Sequence, residues 1–273
     1  MIFEKAYAKI NLALGVGKEA DGYHEVENLM VPIDLYDELF FEKTIEDSLE
    51  CEEDIPNNIC LKAIHLFKEK FLIKECVHIT LHKKIPIMAG LAGGSSDAAA
   101  TLRGLNRLFE VDASYEDLYE IASQLGSDVP FFLRNQIALC TGRGEIIEPV
   151  DIDFKGISLL LIKPDFGLST KEVYDNYVYN GISKKVELQN LLEAIKNKDY
   201  DEIDKWIFND LQETALRLSP ALTELFQKIY NLSYIPHISG SGPTIFLLDA
   251  KYVDLENVKA LDDTLTLYLC HTI

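Results

Sequence analysis

The sequence has few cationic residues and no long apolar run. It contains 26 lysines and arginines against 45 aspartates and glutamates, which gives a formal net charge of −19 at pH 7. Because nucleic-acid binding requires a basic surface, this charge argues against a nucleic-acid partner. The longest apolar run, at 157–162, is far shorter than the ~20 residues of a membrane span. No extended apolar stretch opens the chain, so we expect a cytoplasmic protein with no secretory signal and no membrane contact.

Cysteine is scarce as well. The five cysteines, at positions 51, 60, 76, 140 and 270, are odd in number and form no C-x-x-C pair. This spacing predicts reduced, mostly buried thiols rather than a disulfide framework or a zinc site. His78 and His82 lie in an alternating segment, and a strand would separate them by ~13 Å. A structural role is therefore favoured for both, and the sequence assigns no metal ligands.

The pattern of apolar residues is that of a two-domain α+β protein. Apolar residues make up 48% of the 273 residues and charged residues 26%, as in globular proteins. The first segment alternates like a strand, with Ala8 and Ile10 on one face and Lys9 and Asn11 on the other. Strands and helices follow up to a predicted hairpin near Arg143, after which the order of elements changes. We therefore expect an N-terminal domain at 1–152 and a C-terminal domain at 153–273.

Three predicted helices of the first domain have recognisable ends. One begins after Asn58, and a second is expected from about 96 to 109. The third, within 114–126, has Ser114 as N-cap with Asp117 three residues later, which is the spacing of a capping box. Gly126 is the expected C-cap of that helix.

A glycine-rich stretch, PIMAGLAGGSSDAA at 86–99, precedes the second helix. Helix N-termini expose unpaired N–H groups with a partial positive charge, and glycines let the backbone approach a phosphate closely. Hydroxyls at 95 and 96 suit phosphate or Mg²⁺. The alternative is an ordinary capped helix after a flexible loop. The predicted phosphate-binding residues are Pro86, Ile87, Met88, Ala89, Gly90, Leu91, Ala92, Gly93, Gly94, Ser95 and Ser96.

Two other stretches are less specific when taken singly. SGSGPTIF at 239–246 is a second glycine-rich turn, and GSDVPFF at 126–132 places a lone Asp128 after a predicted helix. A tight connection and a helix cap are the commoner explanations of such features.

Together, these motifs resemble those of the GHMP kinases. AKINLAL near the start, PIMAGLAGGSSDAA at 86–99 and SGSGPTIF at 239–246 stand in the order of that family across the whole chain. The resemblance implies a two-domain α+β fold of mixed and antiparallel sheets with helices, and an active site in the cleft between the domains. It also implies transfer of the γ-phosphoryl group of ATP to a substrate hydroxyl, with Mg²⁺ expected. Met88, Ala89 and Ala92 stand where glycine is common, which is tolerable where φ is negative.

The resemblance also implies roles for single residues. Asp128 would accept or orient the proton of the attacking hydroxyl, with Lys9 beside it. Lys9 would keep Asp128 ionised or lower the pKa of the hydroxyl, and the sequence does not separate these two roles. Asn11 shares the strand face of Lys9 and is expected to contact the substrate. Asn58 and Lys83 match positions on the adenine side of ATP, although a helix cap and a solvated strand end are the respective alternatives.

The block Ala20-Asp21-Gly22-Tyr23-His24 resembles one branch of the family, whose substrate carries a cytidine diphosphate group. Tyr23 can stack on a cytosine ring, and His24 can offer a directional partner to the edge of that ring. The segment FGLSTKEVY at 166–174 suggests Thr170 for a polar contact and Tyr174 for stacking. An ordinary core position is the alternative for Tyr174.

Two other functions stay open at this point. One is another small-molecule kinase of the same family, for which a cytosine pocket at Tyr23 and His24 would have no purpose. The other is a non-catalytic nucleotide sensor on the same fold, which would not require both Lys9 and Asp128. An unrelated α+β binding protein, in which the glycine-rich loops are all structural, is the least favoured alternative. The oligomeric state is not predicted.

Overall fold

The computed structural model describes residues 1–20, 22–182 and 184–273, and Asp21 of the 20–24 block lies outside them. In that part of the chain, the strands form two β-sheets. In chain order the strands are β1 (Ile2–Ala20), β2 (Tyr23–Thr44), β3 (Ser48–Cys51), β4 (Cys76–His82), β5 (Ala138–Thr141), β6 (Ile146–Pro149), β7 (Ser158–Lys163), β8 (Phe208–Asn209), β9 (His237–Ile238), β10 (Ile245–Leu248) and β11 (Thr266–His271).

The first sheet is mixed and is built on the antiparallel pair β1–β2. Its order is β3-β4-β2-β1-β8, with β5 pairing β2 and β6 pairing β5. The β1–β2 ladder runs from Ile2 opposite Phe41 to Ala20 opposite Tyr23, and β8 joins β1 in parallel. The second sheet is antiparallel, in the order β11-β7-β10-β9. This arrangement confirms the α+β class.

Helices pack against both sheets. In chain order they are α1 (Ile59–Phe71), α2 (Gly93–Leu108), α3 (Tyr115–Leu125), α4 (Thr170–Asp175), α5 (Lys185–Asn197), α6 (Tyr200–Trp206), α7 (Gln212–Leu218), α8 (Pro220–Asn231) and α9 (Leu255–Lys259). Both hydrogen bonds of the capping box between Ser114 and Asp117 are present, and Gly126 is the C-cap of α3. The second helix begins at Gly93, three residues before the position expected from sequence, because its first turn is built from the glycines themselves.

The two halves of the chain share one buried core. Ile10 and Leu12 of β1 belong to the same apolar cluster as Leu159 and Leu161 of β7. The strand β8 of the second half also completes the first sheet. A domain boundary between 152 and 153 stays a prediction, and it falls in the connection between β6 and β7. The shared core fixes the relative position of the two sheets, and therefore of the residues that each contributes to the cleft.

The five cysteines are free thiols, and the two histidines of β4 contact neighbouring side chains. All five cysteines are free, and Cys60, Cys140 and Cys270 are buried. His78 is hydrogen-bonded to the hydroxyl of Ser48, and His82 contacts a glutamate. Within the described ranges, no helix is long and apolar enough to cross a membrane.

Candidate active site

A cavity of about 830 Å³ lies where the glycine-rich loops of the two halves meet. This volume is in the range of small-molecule sites. The cavity is bordered by β1 and β2, the loop before α2, the start of α4 and the turn at 240–241. The predicted site residues that line it are Lys9, Asn11, Tyr23, His24, Asn58, Lys83, Pro86, Ile87, Met88, Ala89, Gly90, Ala92, Gly93, Gly94, Ser95, Asp128, Thr170 and Tyr174.

Lys9, which borders this cavity, is held by a buried polar network. The residue is only 4% exposed. Its ammonium donates to the side-chain oxygen of Asn11 at 2.6 Å and to the carbonyl of Gly90 at 3.0 Å. Asn11 in turn donates to Asn28 at 2.6 Å. Burial lowers the pKa of Lys9, and the charge of Asp128 opposes that effect.

Asp128 lines the same cavity as Lys9 and Tyr174. Its charge acts on Lys9 and on Tyr174, whose pKa is raised first by burial and then by this carboxylate. The turn after β5 packs against it, since a Cβ on Gly144 would stand 3.7 Å from Asp128 Oδ1. Asp128 and Lys9 both border the cavity, and the hydrogen bonds of the Lys9 ammonium in the described structure go to Asn11 and Gly90. A ligand hydroxyl can therefore reach both groups from the cavity.

The glycine-rich loop before α2 is pressed against the SGSG turn of the second half. A Cβ on Gly90, whose φ is +75°, would stand 2.1 Å from the carbonyl oxygen of Ser239. The hydroxyl of Ser239 donates to the Gly90 carbonyl at 3.0 Å. Gly94 is different, because a Cβ there would meet nothing within 4 Å. Gly90 is thus required for the approach of the two loops, whereas Gly94 faces open space.

The first turn of α2 presents unpaired backbone donors. Its N-cap, Ala92, makes no side-chain capping hydrogen bond, and the first intrahelical bond is donated by the amide of Ser96. The amides of Gly93, Gly94 and Ser95 therefore have no acceptor within the helix. Such a helix start carries a partial positive charge and suits an anion. This geometry fits a phosphate group that is held by backbone amides.

Two residues of the predicted loop do not line the cavity. Leu91 and Ser96 are each 1% exposed. Leu91 packs into the apolar core with Ile85. The hydroxyl of Ser96 is buried and has no hydrogen-bond partner in the described structure. The ligand contacts of Leu91 and Ser96 stay a prediction, and in this structure both side chains are buried.

Two of the three loop positions where glycine is common have a positive φ. Met88 and Ala92 have φ of 53° and 55°, in the left-handed region, whereas Ala89 is not among the residues with positive φ. A Cβ in this region is crowded by backbone oxygen, which costs roughly 1–2 kcal/mol per residue. The loop backbone therefore adopts a conformation that favours glycine at Met88 and Ala92, and the side chains at these two positions strain it.

Ala92→Gly is expected to raise the free energy of unfolding by about 0.5–1 kcal/mol, because it removes this strain at a small cost in chain entropy. Ala89→Gly is the matched control and is expected to lower the free energy of unfolding by about 0.5–1 kcal/mol. Urea denaturation of the three proteins measures both changes. Equal losses in the two variants would contradict the assignment of strain to Ala92.

On the adenine side predicted from sequence, both residues have partners within the protein. The side-chain oxygen of Asn58 accepts from the amide of Cys60 and caps α1. Lys83 is not a solvated strand end, since its side chain is 6% exposed and pairs with Asp37 at 2.5 Å and Asp97 at 2.6 Å. Burial disfavours the charge of Lys83, but Asp97 and Asp37 together raise its pKa. Contact between the Lys83 ammonium and the adenine base stays a prediction. The ion pairs of Lys83 with Asp37 and Asp97 would compete with that contact.

At the opposite end, the structure brings the predicted aromatic residues together. The ring centroids of His24 and Tyr174 are 5.7 Å apart. His24 Nδ1 donates to the carbonyl of Gly17 at 2.9 Å, so Nε2 of the neutral ring is an acceptor. Tyr23 is 56% exposed and lines the same cavity. The hydroxyls of Thr170 and Ser241 are hydrogen-bonded at 2.9 Å, which links α4 to the SGSG turn.

Sequence reasoning missed the residues that shape the cavity from a distance. Asn209 donates to the carbonyls of Ile238 and Gly240, both at 2.8 Å, and so holds the SGSG turn in place. Asp97 and Arg143 line the cavity but were not predicted as site residues. Asp97 lies within the stretch 86–99, but nothing in that stretch indicates its ion pair with Lys83, and the two carbonyl partners of Asn209 are 29 and 31 residues away in sequence.

The described residues fit a metal ion that arrives with a nucleotide. Mg²⁺ commonly takes one or two protein oxygens and completes its octahedron with phosphates and water. The carboxylate of Asp128 and the hydroxyl of Ser95 line the cavity and are ligands of that kind. In the part of the chain that the structure describes, no group of three or more His, Cys, Asp or Glu side chains forms a metal site of its own.

Comparison with known proteins agrees with this geometry. Residues 58–136 match the GHMP kinases N terminal domain, and residues 191–260 match the GHMP kinases C terminal domain. A 4-diphosphocytidyl-2-C-methyl-D-erythritol kinase of Clostridium perfringens is 42% identical over 89% of this chain and 86% of its own length. One from Macrococcus caseolyticus is 41% identical over 92% of this chain and 91% of its own length.

Solved structures show the same fold. A 4-(cytidine 5'-diphospho)-2C-methyl-D-erythritol kinase superposes with a TM-score of 0.83 at 29% identity and covers 99% of both chains. The homoserine kinase of Cytophaga hutchinsonii superposes with a TM-score of 0.75 at 17% identity, over 99% of this chain and 94% of its own, and at that identity shows the fold alone. The chain therefore belongs to the GHMP kinases, in the family of the 4-diphosphocytidyl-2-C-methyl-D-erythritol kinases.

Proposed function

We propose that this chain is an ATP-dependent kinase that phosphorylates the 2-hydroxyl group of 4-diphosphocytidyl-2-C-methyl-D-erythritol in non-mevalonate isoprenoid precursor biosynthesis. The products are the 2-phosphate and ADP. One observation carries the proposal: a single cavity holds the open helix start at 93–95, the pair Lys9 and Asp128, and the aromatic end at His24 and Tyr174. These three parts match a phosphoryl donor, a reacting hydroxyl and a cytosine ring in that order.

Phosphoryl transfer depends on positioning and charge neutralisation. The free amides of Gly93, Gly94 and Ser95 hold the phosphates of ATP. These dipoles supply locally the attraction that a protein of net charge −19 lacks as a whole. Asp128 and Ser95 would hold Mg²⁺ together with the phosphates of ATP, and the ion would supply charge neutralisation for the transferring group.

Asp128 accepts the proton of the attacking hydroxyl as the new oxygen–phosphorus bond forms and the bond to ADP breaks. Lys9 has three N–H groups, of which two are used by Asn11 and Gly90. The third can face the cavity, where it stabilises negative charge on the transferring phosphoryl group and on Asp128. Because Lys9 is tied to the Gly90 carbonyl, its position follows that of the phosphate loop.

The aromatic end selects the base of the acceptor. Tyr174 and Tyr23 offer ring faces for stacking, and Nε2 of His24 is an acceptor for the amino group of cytosine. Uracil carries an oxygen in place of that amino group. A site built in this way rejects uracil because two acceptors would face each other.

We expect CDP to bind about 10- to 100-fold more tightly than UDP, and His24→Phe to remove this preference, because the phenyl ring keeps the stacking surface and loses the acceptor. Tyr174→Ala is the comparison variant and is expected to weaken CDP and UDP by similar factors. Isothermal titration calorimetry measures the six affinities of the three proteins for the two nucleotides. Equal binding of CDP and UDP by the unaltered protein would contradict the proposed cytosine site.

A further inference from the structure

Asn209 ties the SGSG turn, residues 239–242, to the first sheet. It belongs to β8, the short strand that joins β1 in parallel. Its Nδ2 group donates to the carbonyls of Ile238 and Gly240, both at 2.8 Å. Its Oδ1 accepts from the amide of Leu211 at 2.9 Å. Both amide hydrogens and the carbonyl oxygen of this side chain therefore have partners.

The turn that Asn209 holds shares its hydrogen-bond acceptors with Lys9. A Cβ on Gly240 would stand 3.3 Å from Lys9 Nζ and 3.1 Å from the carbonyl oxygen of Gly90. The hydroxyl of Ser239 lies 3.3 Å from Asn11 Oδ1 and 3.0 Å from the Gly90 carbonyl oxygen. These two oxygens also accept from the ammonium of Lys9. A shift of the turn would therefore shift the groups that hold Lys9.

Asn209 acts away from the cavity itself. In the described structure the cavity lining includes Gly240 and Ser241 but not Asn209. The three hydrogen bonds of its side chain all go to backbone groups. Gly240 has a φ of +56°, and glycine restricts its own backbone less than any other residue. The position of the turn therefore depends on the partners of its carbonyls.

We propose that Asn209 is a positioning residue for Lys9. By fixing the SGSG turn, it keeps the acceptors on Asn11 and Gly90 in place. Two N–H groups of Lys9 are then occupied, and the third is aimed at the transferring phosphoryl group. The inference rests on the proposed function, because this third N–H group has a role only in phosphoryl transfer. A donor that is oriented before the reaction stabilises the transition state without a cost of reorganisation.

Asn209→Asp removes both donated hydrogen bonds and keeps the acceptor for the amide of Leu211. We expect kcat to fall about 10- to 100-fold, while the KM values for ATP and the acceptor stay within about threefold. Gln212→Ala is the matched control, since Gln212 accepts from the amide of Ile238, one residue before the turn. Its kcat should stay within about threefold of that of the unaltered protein. An equal fall in both variants, or a change in Asn209→Asp confined to KM, would overturn the assignment.

Ser239→Ala separates positioning from a general loss of structure. Because Ser239 transmits the position of the turn to the acceptors of Lys9, we expect the double variant with Asn209→Asp to lose no more kcat than the weaker of the two single variants. Losses that multiply would show independent effects and would overturn the proposal. Urea denaturation of each variant verifies its folding. Asn209→Ala removes the same donors without adding a charge, and takes the place of Asn209→Asp where that variant does not fold.

Crystal structures of the unaltered protein and of Asn209→Asp test the assignment without any turnover. In the variant we expect the distance from Ser239 Oγ to the Gly90 carbonyl oxygen to increase from 3.0 Å to more than about 3.5 Å. An unchanged distance would overturn the assignment even where kcat falls. If the unaltered protein phosphorylates no acceptor, the proposed function fails. The two structures would still decide whether Asn209 holds the turn against the acceptors of Lys9.

Discussion

Replacing Asp128 by asparagine is expected to lower kcat about 10²- to 10⁴-fold, with a smaller change in the KM for ATP. The asparagine side chain keeps the shape of the cavity but accepts no proton from the attacking hydroxyl. Lys9 would also lose the negative charge that opposes the lowering of its pKa by burial. The loss should therefore appear in the chemical step rather than in nucleotide binding.

Initial rates at saturating ATP and acceptor measure this loss. Asp175→Asn is the matched control, because Asp175 is an exposed carboxylate that lines the same cavity and has no assigned role. Its kcat is expected to stay within about threefold of that of the unaltered protein. A kcat for Asp128→Asn that also stays within this range would contradict the role of Asp128 as proton acceptor.

Gly90→Ala is expected to have the largest effect among substitutions in the phosphate loop. The added Cβ would stand 2.1 Å from the carbonyl oxygen of Ser239, and Gly90 has a φ of +75°. Neither backbone can absorb this overlap without moving the loop, so we expect the free energy of unfolding to fall by about 3 kcal/mol or more. The displaced Gly90 carbonyl would also release the ammonium of Lys9.

Gly94→Ala provides the matched comparison in the same loop. The added Cβ would meet nothing within 4 Å, and Gly94 lies in the first turn of α2. Its free energy of unfolding is expected to rise by up to about 1 kcal/mol, because alanine favours the helix. Urea denaturation of both variants measures the contrast. Similar stability of the two would show that the Gly90–Ser239 approach does not limit the loop.

Much of the fold follows from local patterns in the sequence. The alternation around Lys9 gives β1, because one face of that strand must be buried. The capping box at Ser114 and Asp117 fixes the start of α3 through hydrogen bonds between near neighbours. The predicted start of α2 was late, because glycine disfavours a helix by intrinsic propensity. At this position the packing of the whole helix outweighs that cost.

The site could be predicted only where the chemistry lies within one motif. The stretch 86–99 indicated a phosphate-binding loop. The predicted residues Lys9, His24, Asp128 and Tyr174 all line the same cavity as that loop. The partners of Lys83 are Asp37 on β2 and Asp97 on α2, which no local pattern connects. The close approach of Gly90 to Ser239 joins the two halves of the chain. Neither motif alone could have predicted this contact.

The rate of ADP formation with Mg²⁺-ATP and 4-diphosphocytidyl-2-C-methyl-D-erythritol, measured beside homoserine and mevalonate, tests the central claim most directly. We predict turnover with the cytidyl substrate alone, with mass spectrometry showing one added phosphoryl group on it. Turnover with homoserine or mevalonate instead would contradict the proposed substrate and the cytosine site at His24. Binding of ATP without turnover of any acceptor would contradict the kinase activity and favour a nucleotide sensor.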